Sequence, residues 1–155
     1  MKTRPVIKSD TPKIIKLIGE VWAEYDCVLD LEEDDEYLLA PDDYFRSRGG
    51  EFWIVENENE IIATVAVLMS DEQTAELKSL YVREDFRHQG LGKDLTEVVI
   101  KFARTKGSNE VLLWSDTRFT KAHRLYERLG FEKISSRNLN DLNNSIEFGF
   151  KLKIR

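Results

Sequence analysis

Two glycines separated by one residue, Gly90 and Gly92, lie where an apolar strand pattern gives way to a helical one. The strand pattern ends with Leu80 to Val82, and beyond the glycines apolar residues recur at helical spacing. The first N–H groups of a helix have no partner inside it, and the helix dipole adds positive potential there. Glycine lets another group approach this backbone closely, and Arg87 and Lys93 add positive charge at its two edges. The stretch is therefore predicted to bind a phosphate group.

The spacing R-x-x-G-x-G between a strand and a helix differs from the Walker and dinucleotide-binding patterns. It resembles the acetyl-coenzyme A pyrophosphate loop of the GNAT N-acetyltransferase superfamily. Downstream, the segment from Ala122 to Phe131 is similar to that family's A-x-x-L-Y-E-x-x-G-F motif. The resemblance implies transfer of an acetyl group from acetyl-coenzyme A to an amine, with no covalent intermediate and no metal. A glycine-rich helix start without a ligand is the alternative for the loop taken alone.

The resemblance assigns cofactor binding to two adjacent stretches. The backbone at the end of the strand would hydrogen-bond the pantetheine arm as though it were an added strand, and the turn and helix start would hold the pyrophosphate. An N–H group near Leu80 would face the thioester oxygen. The residues so assigned are Leu80, Tyr81, Val82, Arg87, His88, Gln89, Gly90, Leu91, Gly92 and Lys93.

Acyl transfer to an amine requires a base for the ammonium proton and an acid for the departing thiolate. The resemblance places Glu76 as the base, acting directly or through water, and Tyr126 as the general acid. Asp116, at the end of the following strand, is the competing base. Both assignments have a structural alternative. Glu76 could be an exposed strand residue, and Tyr126 could be a core tyrosine because it also lies on the apolar stripe of a helix.

The segment after the first helix commonly borders the acceptor site in the family. Here it contains an acidic run from Asp30 to Glu36. This run forms either a solvated surface or part of the entrance to the acceptor site, where its negative charge would attract an amine. One departure from the family is Phe119, where many members have an asparagine that contacts pantetheine. The candidate acceptor-binding residues are Tyr25, Asp26, Glu33 and Asp116.

Composition narrows the choice of partners. Lys and Arg number 23 against 29 Asp and Glu, giving a net charge of -6, which argues against nucleic acid. The expected acceptor is a small-molecule or peptide amine. No apolar run is long enough to cross a bilayer, so no membrane partner is expected. A single cysteine, Cys27, allows no internal disulfide and favours a cytoplasmic location. Dimers are common in the family, so the resemblance leaves a homodimer open.

The apolar periodicity predicts one domain over residues 1–155, and the resemblance implies an α/β (α+β) GNAT fold. That fold has a mixed sheet of six to seven strands, helices on both faces, and splayed fourth and fifth strands. Between Thr74 and Val82 the apolar phase changes near Lys78 and Ser79, which is typical of a β-bulge. We also expect Asp10 or its neighbour Ser9 to cap the first helix and Thr120 to cap the last.

Two other functions remain compatible with the loop. A non-catalytic acyl-coenzyme A sensor would retain cofactor binding without turnover. A different phosphate-binding transferase is disfavoured, because no metal-holding carboxylate pair accompanies the loop. Both histidines, His88 and His123, are expected at loop and helix surfaces.

Overall fold

The computed structural model describes residues 1–155. Seven strands form one mixed sheet in the order β1-β2-β3-β4-β5-β7-β6. β4 and β5 are parallel neighbours, and all other neighbouring strands are antiparallel. The strands are β1 (Lys2–Pro5), β2 (Glu51–Asn57), β3 (Glu60–Met69), β4 (Thr74–Val82), β5 (Glu110–Asp116), β6 (Glu132–Asn138) and β7 (Ile146–Lys153).

Four α-helices cover the two faces of the sheet. They are α1 (Thr11–Ala23), α2 (Pro41–Arg46), α3 (Leu91–Thr105) and α4 (Thr120–Arg128). Short 3-10 helices lie at Lys8–Asp10, Glu36–Leu39 and Glu84–Phe86. None of these helices has the length and apolar character that crossing a bilayer requires. The mixed seven-stranded sheet with helices on both faces confirms the predicted architecture.

The strand β3, an interior strand of the sheet, separates two apolar cores. Val65 and Val67 face the core formed with α3 and α4, whereas Ala66 and Leu68 face the core formed with α1 and α2. Because both faces of β3 are covered, its sequence is nearly continuous in apolar residues. The two faces are called the α3 face and the α1 face below.

The predicted bulge lies in β4. Thr64 pairs with Tyr81 and Ala66 pairs with Lys78, so two residues of β4, Ser79 and Leu80, lie opposite one residue of β3. Ser79 has a φ of 55°, which is uncommon for a residue other than glycine. The change of apolar phase in the sequence is therefore the local signature of this extra residue.

Strands β4 and β5 separate just before the bulge. Their pairing begins at Thr74 with Glu110 and ends at Leu77 with Leu113. Beyond Leu113, β5 continues to Asp116 alongside β7. The edge of β4 from Lys78 onward consequently has no strand partner on the β5 side, as the predicted splay requires.

Several local expectations were wrong. Asp10 precedes α1, but its carboxylate accepts bonds from Arg4 and from the Ile7 N–H instead of capping that helix. Thr120 is the first residue of α4 and makes no cap bond. His123 is buried at 8% exposure rather than at a helix surface, whereas His88 lies exposed in its loop as expected.

The sequence reasoning also missed α2. Six residues are too few to show a helical period, and this helix is anchored by one fully buried side chain, Phe45. Phe45 packs against Phe52 of β2 with ring centroids 5.5 Å apart.

Candidate active site

The turn between β4 and α3 exposes a continuous run of unpaired main-chain donors. The six N–H groups from His88 to Lys93 donate no hydrogen bond within the protein, and the first helical bond in this region runs from the Asp94 N–H to the Gly90 carbonyl. Unpaired donors at a helix start, together with the helix dipole, favour an anion. The loop therefore has the donor set that a phosphate or pyrophosphate needs.

The backbone conformation of the loop makes it concave. His88 has a φ of 63° and Gly90 a φ of 84°, so left-handed residues alternate with right-handed or extended ones. Such alternation turns successive N–H groups toward one point and makes an anion-binding nest. A Cβ added at Gly90 would meet no atom within 4 Å, so the space beside the loop is open.

Gly92 has a different reason to be glycine. A Cβ built there would lie 3.0 Å from a methyl carbon of Leu125 in α4. The glycine therefore allows α3 and α4 to approach each other beside the loop. Of the two glycines, one shapes the loop and the other sets the helix packing.

The side chain of Arg87 connects the loop to the end of α1 and to β4. Its guanidinium donates two bonds of 2.7 Å to the carboxylate of Glu24, just beyond α1, and its Nε donates to the Val82 carbonyl at 2.9 Å. This pairing raises the pKa of Arg87. The charge of Arg87 is thus shared with Glu24, and its side chain ties the end of α1 to the loop.

A cavity of about 480 Å³ extends from the loop into the gap between β4 and β5. Its wall includes most of the residues that the sequence assigned to cofactor binding, with the exception of Gln89, which is exposed outside it. Tyr126, Tyr25 and Asp116 also line the cavity, whereas Glu76, Asp26 and Glu33 do not. The structure therefore brings together the loop, the bulged strand and the start of α4 around one space.

Three cations on α4 also line this cavity and were missed from the sequence. They are Lys121, Arg124 and Arg128, and with Lys93 they make no ion pair and have exposed side chains. Their spacing of three and four residues could have been read as a positive helix face. That face gives a net acidic chain a local positive rim beside the phosphate-binding loop.

Tyr126 lies deep in the cavity wall with 4% of its surface exposed. Its ring packs against Phe131 and Phe150. Ser145 Oγ is the only side-chain N or O atom that is both fully enclosed and without a hydrogen-bond partner. The Tyr126 hydroxyl also has no partner, so it keeps some access to solvent, and Tyr126 lines the cavity. Burial raises the pKa of Tyr126, and the phenol stays protonated at neutral pH.

The two candidate bases differ in their surroundings. Asp116 is 3% exposed, and its two oxygens accept from the main-chain N–H and the guanidinium of Arg118 at 2.9 and 3.1 Å. Glu76 is half-buried on β4, opposite Leu112 of β5, and makes no hydrogen bond or ion pair. It lies on the α1 face, away from the cavity wall itself.

Aromatic side chains close the end of the gap near α1. Phe119, at the position of the family asparagine, packs edge-on against Tyr25 at 4.9 Å and Trp22 at 5.8 Å between ring centroids. The indole N–H of Trp22 donates to the Tyr81 hydroxyl at 3.1 Å. Asp26 and Glu33 are exposed elsewhere, and Glu33 lies beside Tyr37 and Tyr44 on another surface depression.

Comparison with known proteins identifies the family to which this arrangement belongs. The model of the acetyltransferase (GNAT) family matches residues 15–131. The chain belongs to the GNAT acetyltransferase family. The uncharacterized N-acetyltransferase YjgM of Escherichia coli is a GNAT relative 31% identical over 140 residues, covering 84% of this chain and 81% of its own length. Human N-acetyltransferase 8 is 33% identical over 127 residues, or 79% of this chain, but this GNAT chain spans only 55% of that relative.

Solved GNAT structures share the fold over nearly the whole chain. A GNAT acetyltransferase from Staphylococcus aureus superposes with a TM-score of 0.87 at 21% identity, covering 99% of both chains. The yncA protein of Salmonella typhimurium, solved with its cofactor acetyl-CoA, superposes with a TM-score of 0.77 at 16% identity, covering 99% of this chain and 94% of its own. GNAT proteins use acetyl-CoA as donor, and the loop and the open edge of β4 provide the donors that its pyrophosphate and pantetheine would need.

Proposed function

We propose that this chain is an N-acetyltransferase that transfers the acetyl group of acetyl-CoA to a primary amine of a small molecule or peptide. The transfer proceeds by direct attack in a ternary complex. The observation that carries the proposal is the run of six unpaired N–H groups from His88 to Lys93, adjoining a cavity that enters the gap between β4 and β5.

Cofactor binding would use main-chain groups for most of its contacts. The loop holds the pyrophosphate, and the free edge of β4 from Leu80 to Val82 hydrogen-bonds the pantetheine arm in the manner of an added strand. Lys93 and the cations of α4 supply positive charge for the phosphates. Gln89, outside the cavity wall, would contribute through its N–H group.

Bound acetyl-CoA supplies a thioester, whose carbonyl carbon the amine attacks. A main-chain N–H near Leu80 stabilises the negative charge that develops on the thioester oxygen. One well-placed donor of this kind contributes roughly 3 kcal/mol to lowering the barrier.

Glu76 is the proposed base. An alkyl ammonium has a pKa of about 10, so the amine must lose a proton before it can attack. Since Glu76 does not line the cavity, we assign it proton removal through water. The pairing of Asp116 with Arg118 favours Glu76 over Asp116, because both carboxylate oxygens of Asp116 already accept hydrogen bonds from Arg118, whereas Glu76 has no partner.

Tyr126 is the proposed general acid. Its hydroxyl is protonated, open to the cavity and without another hydrogen-bond partner. It donates a proton to the departing thiolate, a role worth about 100-fold or more in rate.

We place the protein in the cytoplasm, because Cys27 is a buried free thiol.

Thiol release from acetyl-CoA in the presence of a panel of amines tests the proposal. Turnover on at least one amine is expected. Tight acetyl-CoA binding without turnover on any amine would instead indicate an acyl-CoA sensor.

The variant Tyr126→Phe tests the role of the acid. We expect kcat to fall about 100-fold with little change in acetyl-CoA affinity. Tyr44→Phe is the matched control, since the Tyr44 hydroxyl makes no hydrogen bond and lies outside the cavity. A wild-type rate for Tyr126→Phe would show that this tyrosine is only part of the core.

A further inference from the structure

At the gap between β4 and β5, residues from both the α3 face and the α1 face of the sheet line the cavity. Leu77 and Leu113 belong to the α3 face, where the proposed cofactor site lies. Lys78 and Trp114, their neighbours along the strands, belong to the α1 face. An acceptor that approaches from the α1 face therefore meets a different set of charges from those that surround the cofactor.

The charged residues that line the cavity on the α1 face nearly all form ion pairs. Asp116 is held by Arg118, and Glu147 accepts a hydrogen bond of 2.9 Å from Nε of Arg137, with which it forms an ion pair. Lys78 makes no ion pair, and its ammonium lies 5.8 Å from the centroid of the Tyr37 ring. The cavity thus has one cation without a counter-ion at this end.

The other unpaired cations of the cavity lie near the cofactor loop. Lys93 belongs to the start of α3, and the remaining three belong to α4. The phosphates of acetyl-CoA would neutralise that group. They would not neutralise Lys78, which projects from the opposite face of the sheet.

Glu76 lies two residues before Lys78 on the same face of β4. At about 3.3 Å per residue, their Cα atoms are about 7 Å apart, so the strand presents an unpaired anion beside an unpaired cation. A simple alkyl ammonium entering here would gain from Glu76 but be repelled by Lys78. A molecule that carries a carboxylate next to its ammonium would be attracted by both.

We propose that the acceptor is an amino acid, or a related compound whose primary amine adjoins a free carboxylate, and that Lys78 binds this carboxylate. This inference rests on the proposed acetyltransferase function. The aromatic side chains of Tyr25 and Phe119 at the same end offer an apolar surface to the substituent.

Pairs of acceptors that differ only in the carboxylate test the inference. A set of L-amino acids is compared with the corresponding decarboxylated amines and amino-acid amides, for example phenylalanine with 2-phenylethylamine and phenylalaninamide. Thiol release gives kcat/KM for each compound. For at least one pair, we expect the wild-type protein to prefer the amino acid by about 10-fold to 100-fold, the range for a charge-assisted hydrogen bond.

The variant Lys78→Met removes the ammonium and keeps much of the side-chain length. It should abolish the preference for the amino acid, mainly through a higher KM for the amino acid, and it should raise kcat/KM for the decarboxylated amine modestly, because the repulsion between Lys78 and the ammonium is lost. Lys101→Met on the exposed surface of α3 is the matched control and should keep the preference.

The outcomes separate this inference from the proposed function. Acetylation of amines with no advantage for any amino acid, or an advantage that persists in Lys78→Met, would overturn the role of Lys78 and leave the acetyltransferase function standing. An absence of turnover on every compound would count against both.

Discussion

The bulge in β4 depends on one buried hydroxyl, and Thr64→Val removes it with almost no change in shape. Thr64 is 0% exposed in β3, and its Oγ1 donates to the carbonyl of Ser79 at 2.7 Å. Ser79 is the residue at φ 55°. A strained backbone conformation of this kind persists only when surrounding contacts hold it in place.

The expected loss follows from this bond. Leaving a buried carbonyl without its donor costs about 1–3 kcal/mol. The left-handed conformation at Ser79 costs about 1–2 kcal/mol in the wild type and the variant alike, so it adds nothing to this difference. In the variant, the contact of 3.3 Å between the Tyr37 hydroxyl and Ser79 Oγ is the remaining side-chain bond at Ser79. We therefore expect the free energy of unfolding to fall by about 1–3 kcal/mol, and the β4 edge to lose its open geometry.

Two assays measure these effects. Urea denaturation gives the change in stability, and calorimetry gives the affinity for acetyl-CoA and for adenosine 3′,5′-bisphosphate, which lacks the pantetheine arm. We expect Thr64→Val to weaken acetyl-CoA binding by about tenfold, equivalent to about 1.4 kcal/mol. Binding of the bisphosphate should not change, because the loop from His88 to Lys93 is not altered.

Thr64→Ser keeps the hydroxyl and serves as the control, with acetyl-CoA affinity close to wild type. Acetyl-CoA binding by Thr64→Val as tight as that of the wild type would refute the role of the Thr64 hydroxyl in holding the bulge open for pantetheine. Equal loss of affinity for both ligands would also refute it, because the bulge would then have no separate role in holding pantetheine.

Three further predictions concern the loop, its support and the buried histidine. Gly90→Val should abolish acetyl-CoA binding in calorimetry while the protein stays folded, whereas Gly107→Val, at a similar φ of 79° outside the cavity, should bind normally. Urea denaturation should show that Arg87→Gln destabilises more than Glu24→Gln, because only the former also loses the bond to the Val82 carbonyl; equal losses would contradict this role. Nε2 of His123 lies 3.0 Å from Ser115 Oγ, and burial lowers the pKa of His123 in the native state. In the unfolded chain the same histidine is protonated near pH 6.5, so protonation favours the unfolded state. Stability should therefore fall as pH drops below about 6.5, and His123→Gln, but not His88→Gln, should reduce that fall in denaturation at pH 7.5 and 5.5.

The loop and the bulge could be predicted because their signals are local. The glycine spacing and the start of a helical period occur within a few residues around Gly90. The bulge changes which side chains of β4 face the core, so it is visible in the apolar alternation near Ser79. Both features follow from backbone geometry that neighbouring residues determine.

Contacts between distant segments could not be predicted in this way. Glu24 and Arg87 are 63 positions apart, and nothing in either local sequence specifies the pair. The aromatic contacts of Phe119 involve α1 and β4, so the replacement of the family asparagine could be seen without its structural consequence. Such contacts arise only when the sheet brings these elements together.

The placement of charged side chains was the least predictable part of the site. Asp26 and Glu33 follow α1 closely in sequence, yet both are exposed outside the cavity, while Tyr25 lines it. His123 was expected at a helix surface, but the residue lies under the helix against Phe148 and Phe150. A short amphipathic helix gives the period of its faces without showing how deeply each face is buried.

The most direct test of this account is calorimetric titration of the purified protein with acetyl-CoA at two temperatures. The unpaired N–H groups of the loop and the open edge of β4 predict one saturable site that adenosine 3′,5′-bisphosphate competes for and that Gly90→Val removes. An absence of heat at both temperatures, with acetyl-CoA and with longer acyl-CoA compounds, would contradict the account.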